Sequence, residues 1–345
     1  MKALRYNIII ILLFCLSLVC SNIGSKLNQA MELTKNGDFD AAVAIYREVV
    51  SIEADNALIL NNYGWTLFKA DSLDQAKMIL EAALQANPGR QIKSFIENNQ
   101  VMVQKFLTGQ KLLKSGNPKE AMLEFKEITD KNKVKDIGYK YLALGYEALE
   151  KWDEAKHNWE EIITLYENSS VRNHFYQLAR KKMDDYAQAA IKIGNYEEAI
   201  RIYRIITTVE KNLAGSFNTL GYFLFLNDDL KEAKEVLEKA QKLDRAHVIQ
   251  DSIETNLFMV TTFLAGEYSL RKENYQSALN EFLKVTERYP ETDVGLKYLA
   301  LSYEGLDEKK KADELLQRIA YLHEGNSYKN KYYHFAIAKL KLEVE

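Results

Sequence analysis

Leu60-Asn-Asn-Tyr-Gly-Trp-Thr-Leu-Phe-Lys-Ala-Asp-Ser-Leu-Asp-Gln-Ala76 holds the pattern that decides the fold. Gly64 stands twelve residues before Ala76, and Leu80 follows that alanine by four. The same small–alanine–large triplet recurs along the chain. The alanines are Ala42, Ala76, Ala121, Ala155, Ala199, Ala233, Ala278 and Ala312, at intervals of 34, 45, 34, 44, 34, 45 and 34 residues. Small residues precede them (Ala30, Gly64, Gly109, Ala143, Ala187, Gly221, Gly266, Ala300) and large ones follow (Tyr46, Leu80, Phe125, Trp159, Tyr203, Leu237, Phe282, Leu316). A period near 34 residues marks a repeat array, whose units bury their apolar faces by stacking on one another. Each triplet predicts one helix hairpin, the small residues marking the close approach and the large one filling the gap towards the next hairpin.

Composition agrees with long helices. The 345 residues include three prolines and fifteen glycines, and 47% are hydrophobic. Runs such as Asp229-Leu-Lys-Glu-Ala-Lys-Glu-Val-Leu-Glu-Lys-Ala240 space apolar residues three and four apart, as a helix face requires. The net charge of −3 carries no basic footprint of a nucleic-acid binder.

The pattern also repeats as a block. Shifting the first four alanines by 157 residues lands on the last four. Gly138–Leu149 and Gly295–Leu306 agree at nine of twelve positions under that shift. Eleven extra residues recur near 91–101 and 248–258, and they predict a long first helix in the third and seventh hairpins. We therefore expect two four-hairpin blocks, 22–178 and 179–345, the second ending in a capping helix from Tyr328 to Val344. Lys329, Lys331, Lys339 and Lys341 would form its polar outer face, with Tyr332, Phe335 and Leu340 turned inward.

Residues 1–21 stand apart. Lys2 and Arg5 precede an apolar run from Ile8 to Val19, the layout of a bacterial secretory signal. Cys20 after that run resembles a lipoprotein signal, although Leu18 and Val19 depart from the small residues that pattern asks for. Lipidation at Cys20 and ordinary cleavage after Ser21 are the two readings. Either places the mature chain in the periplasm or envelope, with no membrane contact beyond an N-terminal lipid. Cys15 lies inside the apolar run, so the mature chain has no disulfide or thiol chemistry.

Leu60, Tyr63, Gly64, Leu67, Ala76, Leu80, Ala83 and Pro88 stand where the tetratricopeptide repeat pattern asks, and the chain resembles that family over nearly its whole mature length. The resemblance implies an all-α, right-handed solenoid of about eight helix hairpins. It also implies a concave groove, lined by first helices, that receives a peptide or helix of a partner protein. The groove positions carried over are Asn61, Trp65 and Phe68, then Phe106, then Lys140 in the first block. The second block gives Asn218, Tyr222 and Phe225, then Phe263, then Lys297. For Phe68, Phe106, Phe225 and Phe263 a second reading is open, in which they pack the long helices against their neighbours. The family's carboxylate clamp for chaperone tails is absent from these positions.

No catalytic constellation stands out. His157, His174, His247, His323 and His334 are scattered without metal-ligand spacing, and each reads as a surface or boundary residue. Asp184-Asp185, Asp228-Asp229 and Glu160-Glu161 read as solvated acids. The expectation is a non-enzymatic envelope scaffold without cofactor or metal. Fixed subunit of an envelope assembly and glycan binder are the alternatives.

Overall fold

The computed structural model describes residues 22–131 and 134–340, and all regular structure among them is α-helical. Helix α1 covers 22–36. There follow α2 (Phe39–Ile52), α3 (Ala57–Lys69), α4 (Leu73–Gln85), α5 (Arg90–Lys114), α6 (Pro118–Lys131), α7 (Lys135–Ala148) and α8 (Trp152–Leu165). Then come α9 (His174–Lys192), α10 (Tyr196–Val209), α11 (Ala214–Leu226), α12 (Leu230–Leu243), α13 (Gln250–Arg271), α14 (Tyr275–Thr286), α15 (Asp293–Gly305), α16 (Lys309–Leu322) and α17 (Lys331–Leu340). They gather into two compact units, Met1–Ala179 and Arg180–Glu345. Within each unit consecutive helices pack side by side, α3 on α4 and α11 on α12 most extensively. Each unit is thus a stack of helix hairpins of the solenoid kind. The secretory segment and Cys20 lie outside the described residues.

Every hairpin turns in the same way. Ser72 N–H bonds Leu67 O at 2.9 Å while Asp71 N–H bonds Phe68 O at 3.0 Å. This Schellman pair satisfies the last carbonyls of the first helix. The same two bonds close α11, where Asp229 and Asp228 reach Leu224 and Phe225 at 2.9 Å. Such a turn needs one left-handed residue. Glycine supplies it at Gly37, Gly116 and Gly194, but Asp71, Glu150, Asp228, Glu273 and Asp307 take it without glycine. The residue after it starts the second helix, and Asp38, Asn195 and Asn274 cap that helix with their side chains.

The small residues do their work inside a hairpin. A methyl on Gly64 would lie 2.7 Å from Leu80 Cγ, and one on Gly221 would lie 2.5 Å from Leu237 Cγ. Phe125 and Phe282 likewise press against Gly109 and Gly266. The large residue therefore fills the space beside its own hairpin's glycine and also reaches the next hairpin as expected: Phe125 meets Tyr141 at 4.8 Å and Tyr203 meets Phe223 at 5.1 Å. Burying such a side chain stabilises by about 1.5–3 kcal/mol.

The third hairpin of each unit has the long first helix that the insertions predict, 25 residues in α5 and 22 in α13. Even so, no helix among the described residues is long and apolar enough to cross a membrane. Aromatic rings tie the long helices to their neighbours: Phe68–Phe106 at 5.3 Å, Phe106–Tyr141 at 5.5 Å and Phe125–Tyr141 at 4.8 Å. The second unit repeats this with Phe225–Phe263 at 5.1 Å, Phe263–Tyr298 at 5.7 Å and Phe282–Tyr298 at 4.9 Å.

Each unit closes on itself. Asn173 Nδ2, just before α9, donates to Gly37 O at 3.2 Å in the turn after α1. Asn330 Nδ2, just before α17, donates to Gly194 O at 3.3 Å. The capping helix starts at Lys331 rather than Tyr328, because Asn330 is its N-cap, accepting from Tyr333 N–H at 2.9 Å. Tyr332 and Ala336 are its buried residues, with Phe335 and Leu340 half-buried. Lys329 and Lys331 were expected on a solvated face. Lys331 is exposed and Lys329 half-buried, and their ammonium groups also donate to Asn227 O and His323 O, the C-terminal carbonyls of α11 and α16, where a cation meets the negative end of the helix dipole. Val344 lies outside the described residues.

Candidate partner-binding surfaces

Of the ten groove positions, most serve the interior. Phe68, Phe106, Phe225 and Phe263 are between 0 and 1% exposed, so they cannot meet a partner. The cause is tertiary: in each unit the first helix of the fourth hairpin reaches the turn of the second through Lys140–Asp71 or Lys297–Asp228, and two rings pack together, Phe68 on Phe106 and Phe225 on Phe263.

Asn61 and Asn218 are also buried. Asn61 Oδ1 accepts from Asn99 Nδ2 at 2.9 Å, and Asn218 Oδ1 accepts from Asn256 Nδ2 at 2.9 Å. Asn218 Nδ2 donates in turn to Ser252 Oγ at 2.9 Å. These amides pin the extensions of α5 and α13, which is why they recur under the 157-residue shift.

Lys140 and Lys297 are spoken for. Lys140 Nζ bonds Asp71 Oδ2 and sits 4.5 Å from the centre of the Tyr141 ring. Lys297 bonds Asp228 Oδ2 and sits 4.6 Å from the Tyr298 ring. Tyr141 Oη donates to Asp71 Oδ1 at 2.8 Å. Burial first, then the aspartate, pushes the Tyr141 and Tyr298 hydroxyls well up. The left-handed turn residue explains the pairing, since it swings Asp71 and Asp228 out of the hairpin towards α7 and α15. Asp228 is therefore a buried ion-pair partner and not a solvated acid.

Two expected positions remain open. Trp65 is half-buried, 5.3 Å from Phe68, and lines a trough of about 280 Å³ with Met31, Asn62 and Lys69. Met31 beside it is 52% exposed, leaving an apolar pair at the surface. Tyr222 is also half-buried, and burial raises its hydroxyl, with Tyr289 adding to the shift. In the second unit a cleft of about 660 Å³ opens between α13 and α15, with Leu270, Tyr275, Tyr298 and Leu301 as its apolar floor and Glu267, Arg271 and Glu304 at its rim.

One cluster escaped sequence reasoning. His323 is 4% exposed, not a surface residue, and its Nε2 stands 2.9 Å from Asp293 Oδ2. Tyr196 Oη and Asn330 Nδ2 donate to the same oxygen, each at 2.8 Å. The carboxylate is buried because the second unit closes over it, and three side-chain donors offset its lost hydration. The other four histidines are exposed.

Tetratricopeptide repeat models match residues 33–98 and 214–247. No curated protein matches the chain. Among solved structures, MamA (41–end) from Desulfovibrio magneticus RS-1 is 24% identical over 47% of this chain and 85% of its own, with a TM-score of 0.22. A tetratricopeptide repeat protein from Parabacteroides merdae is 16% identical over 82% of this chain and 99% of its own, at 0.25. The TPR2AB domain of yeast Sti1, in a pHSP90 complex, is 14% identical over 86% and 98%, at 0.23.

Proposed function

We propose, from the premise that this chain belongs to the tetratricopeptide repeat family, that it holds partner polypeptides on two separate open surfaces, one per unit. Tetratricopeptide repeats make it a protein–protein interaction scaffold. The finer reading concerns where and how. The observation that carries it is the half-buried Trp65 beside exposed Met31 at an open trough, when the other aromatics of that face are consumed by the core. A buried aromatic anchor in such a site is worth about 2 kcal/mol or more to binding. The cleft over Leu301 offers a second apolar floor with a mixed-charge rim. Both suit a short amphipathic segment better than a strongly charged tail, because Lys140 and Lys297 are already neutralised.

We further propose that the scaffold is non-catalytic and exported to the bacterial envelope. The layout of residues 1–21 supports export. The experiment compares in-cell crosslinking of the parent chain with Trp65→Ala and with Leu301→Ala. Loss of one crosslinked partner with each variant, at unchanged helicity, is the expected result. Identical crosslinks in all three would reject both surfaces. Mass spectrometry of the mature N-terminus tests export, and an intact Met1 in purified native protein would refute it.

A further inference from the structure

The two units solve the same closure differently, and the difference leaves a cleft in the first. Under the 157-residue shift, Asp293 corresponds to Asp136, His323 to Tyr166, Asn326 to Ser169, Tyr196 to Phe39 and Asn330 to Asn173. In the second unit Asn326 Nδ2 reaches Ile193 O at 3.4 Å, tying the 321–328 loop to the first turn, and His323 fills the space beneath. In the first unit Ser169 is too short to make that tie. Its Oγ turns back on Val171, donating to Val171 O at 3.0 Å and accepting from Val171 N at 3.1 Å. Phe39 has no hydroxyl to give Asp136. The outcome is an open cleft of about 860 Å³ between Asn36–Gly37 and the 164–171 loop, with Asp136 on its wall.

The lining is mixed in charge. The C-terminal ends of α1, α3 and α8 bring backbone carbonyls there beside Asp136 and Glu167, while Lys35, Lys69 and Lys135 also line the cleft. Asp136 keeps Tyr166 as a hydrogen-bond partner and Lys69 as the nearby cation. Lys69 is itself committed, donating to Thr34 O at 3.3 Å and lying 5.3 Å from the Phe39 ring centre. Lys35 and Lys135 sit at the exposed mouth.

We infer that this cleft is a second polypeptide-binding site, taking an arginine side chain that is followed by a carboxylate-bearing residue. The guanidinium does what Tyr196 and Asn326 do in the second unit: it donates to the carboxylate and to the carbonyl of the first turn. Its planar fork of donors spans two such acceptors, which an ammonium cannot. The neighbouring carboxylate meets Lys35 and Lys135. The second unit needs no partner here because its own chain occupies the place. This inference goes beyond the trough and the Leu301 cleft, and it fails separately from them.

The test titrates acetyl-Arg-Glu-amide into the full chain and follows backbone amide resonances, with acetyl-Gln-Glu-amide and acetyl-Arg-Gln-amide as controls. Saturable shifts confined to 35–39, 135–137 and 164–171 are expected with Arg-Glu, at least about tenfold weaker with Gln-Glu, since one charge-assisted bond lost is about that large. Arg-Gln should fall between them. Transplanting the second unit's plug (Phe39→Tyr, Tyr166→His and Ser169→Asn together) should raise the melting temperature and abolish the shifts. Should that triple variant misfold, Asp136→Asn removes the acceptor charge without changing shape and should give the same loss. Equal binding of Arg-Glu and Gln-Glu, binding that survives either variant, or no shift at all would overturn the inference.

Discussion

Glu273 holds a φ of 58°, in the left-handed region where a side chain costs about 1 kcal/mol. It is exposed and turns the hairpin between α13 and α14, where its N–H still closes the Schellman pair on Leu270 O at 2.9 Å. Glycine does the same job at Gly37, Gly116 and Gly194 without that strain. Asp71 and Asp228 occupy the same strained place for a reason: their carboxylates hold Lys140 and Lys297. No such bond follows from Glu273. Glu273→Gly should therefore stabilise the protein by about 1 kcal/mol, less whatever glycine's freedom in the unfolded chain takes back. Urea unfolding checks it: the midpoint should rise with the slope unchanged. A lower midpoint would mean that Glu273 makes a contact of its own.

Helices α5 and α13 show what an element gains from its extension. The first turns of α13 rest on the Asn256–Asn218–Ser252 chain and on Ile253, packed with Phe217 and Ala240. Asn256→Ala would leave Asn218 Oδ1 buried without its donor, at a cost of about 1–3 kcal/mol. Hydrogen exchange should then quicken across 250–258 while 262–271 stays protected. Uniform loss of protection along α13 would show that the extension carries no separate stability. That these helices are long was legible, because the inserted residues keep the helical period and recur under the block shift. That Asn61 and Asn218 serve them was not. An amide at a first-helix position looks the same whether it faces a partner or a neighbouring helix, and only the path of the extension decides.

At the scale of the whole molecule, the spacing of small and large residues revealed the hairpins, because a hairpin needs one close approach and one filler whatever surrounds it. The groove was less legible, since its openness depends on how far the fourth hairpin reaches back to the second. Phe68, Phe106, Phe225 and Phe263 were ambiguous for that reason. His323 gave no signal, because its partners Asp293 and Tyr196 come from distant segments and, with the nearby Asn330, match no motif. Yet closure of this kind has a consequence for folding. Asn173 to Gly37 and Asn330 to Gly194 join the end of each unit to its own beginning, and stability in stacked arrays is roughly a sum of local terms. We therefore propose that the blocks 22–178 and 179–345 fold independently. Expressed apart, each should give a helical far-ultraviolet spectrum and one cooperative thermal transition. The second block should keep the buried His323–Asp293 pair, seen as an imidazole proton protected from solvent exchange. A first block that becomes helical only when the second is added would refute independent folding and make the two units one cooperative structure.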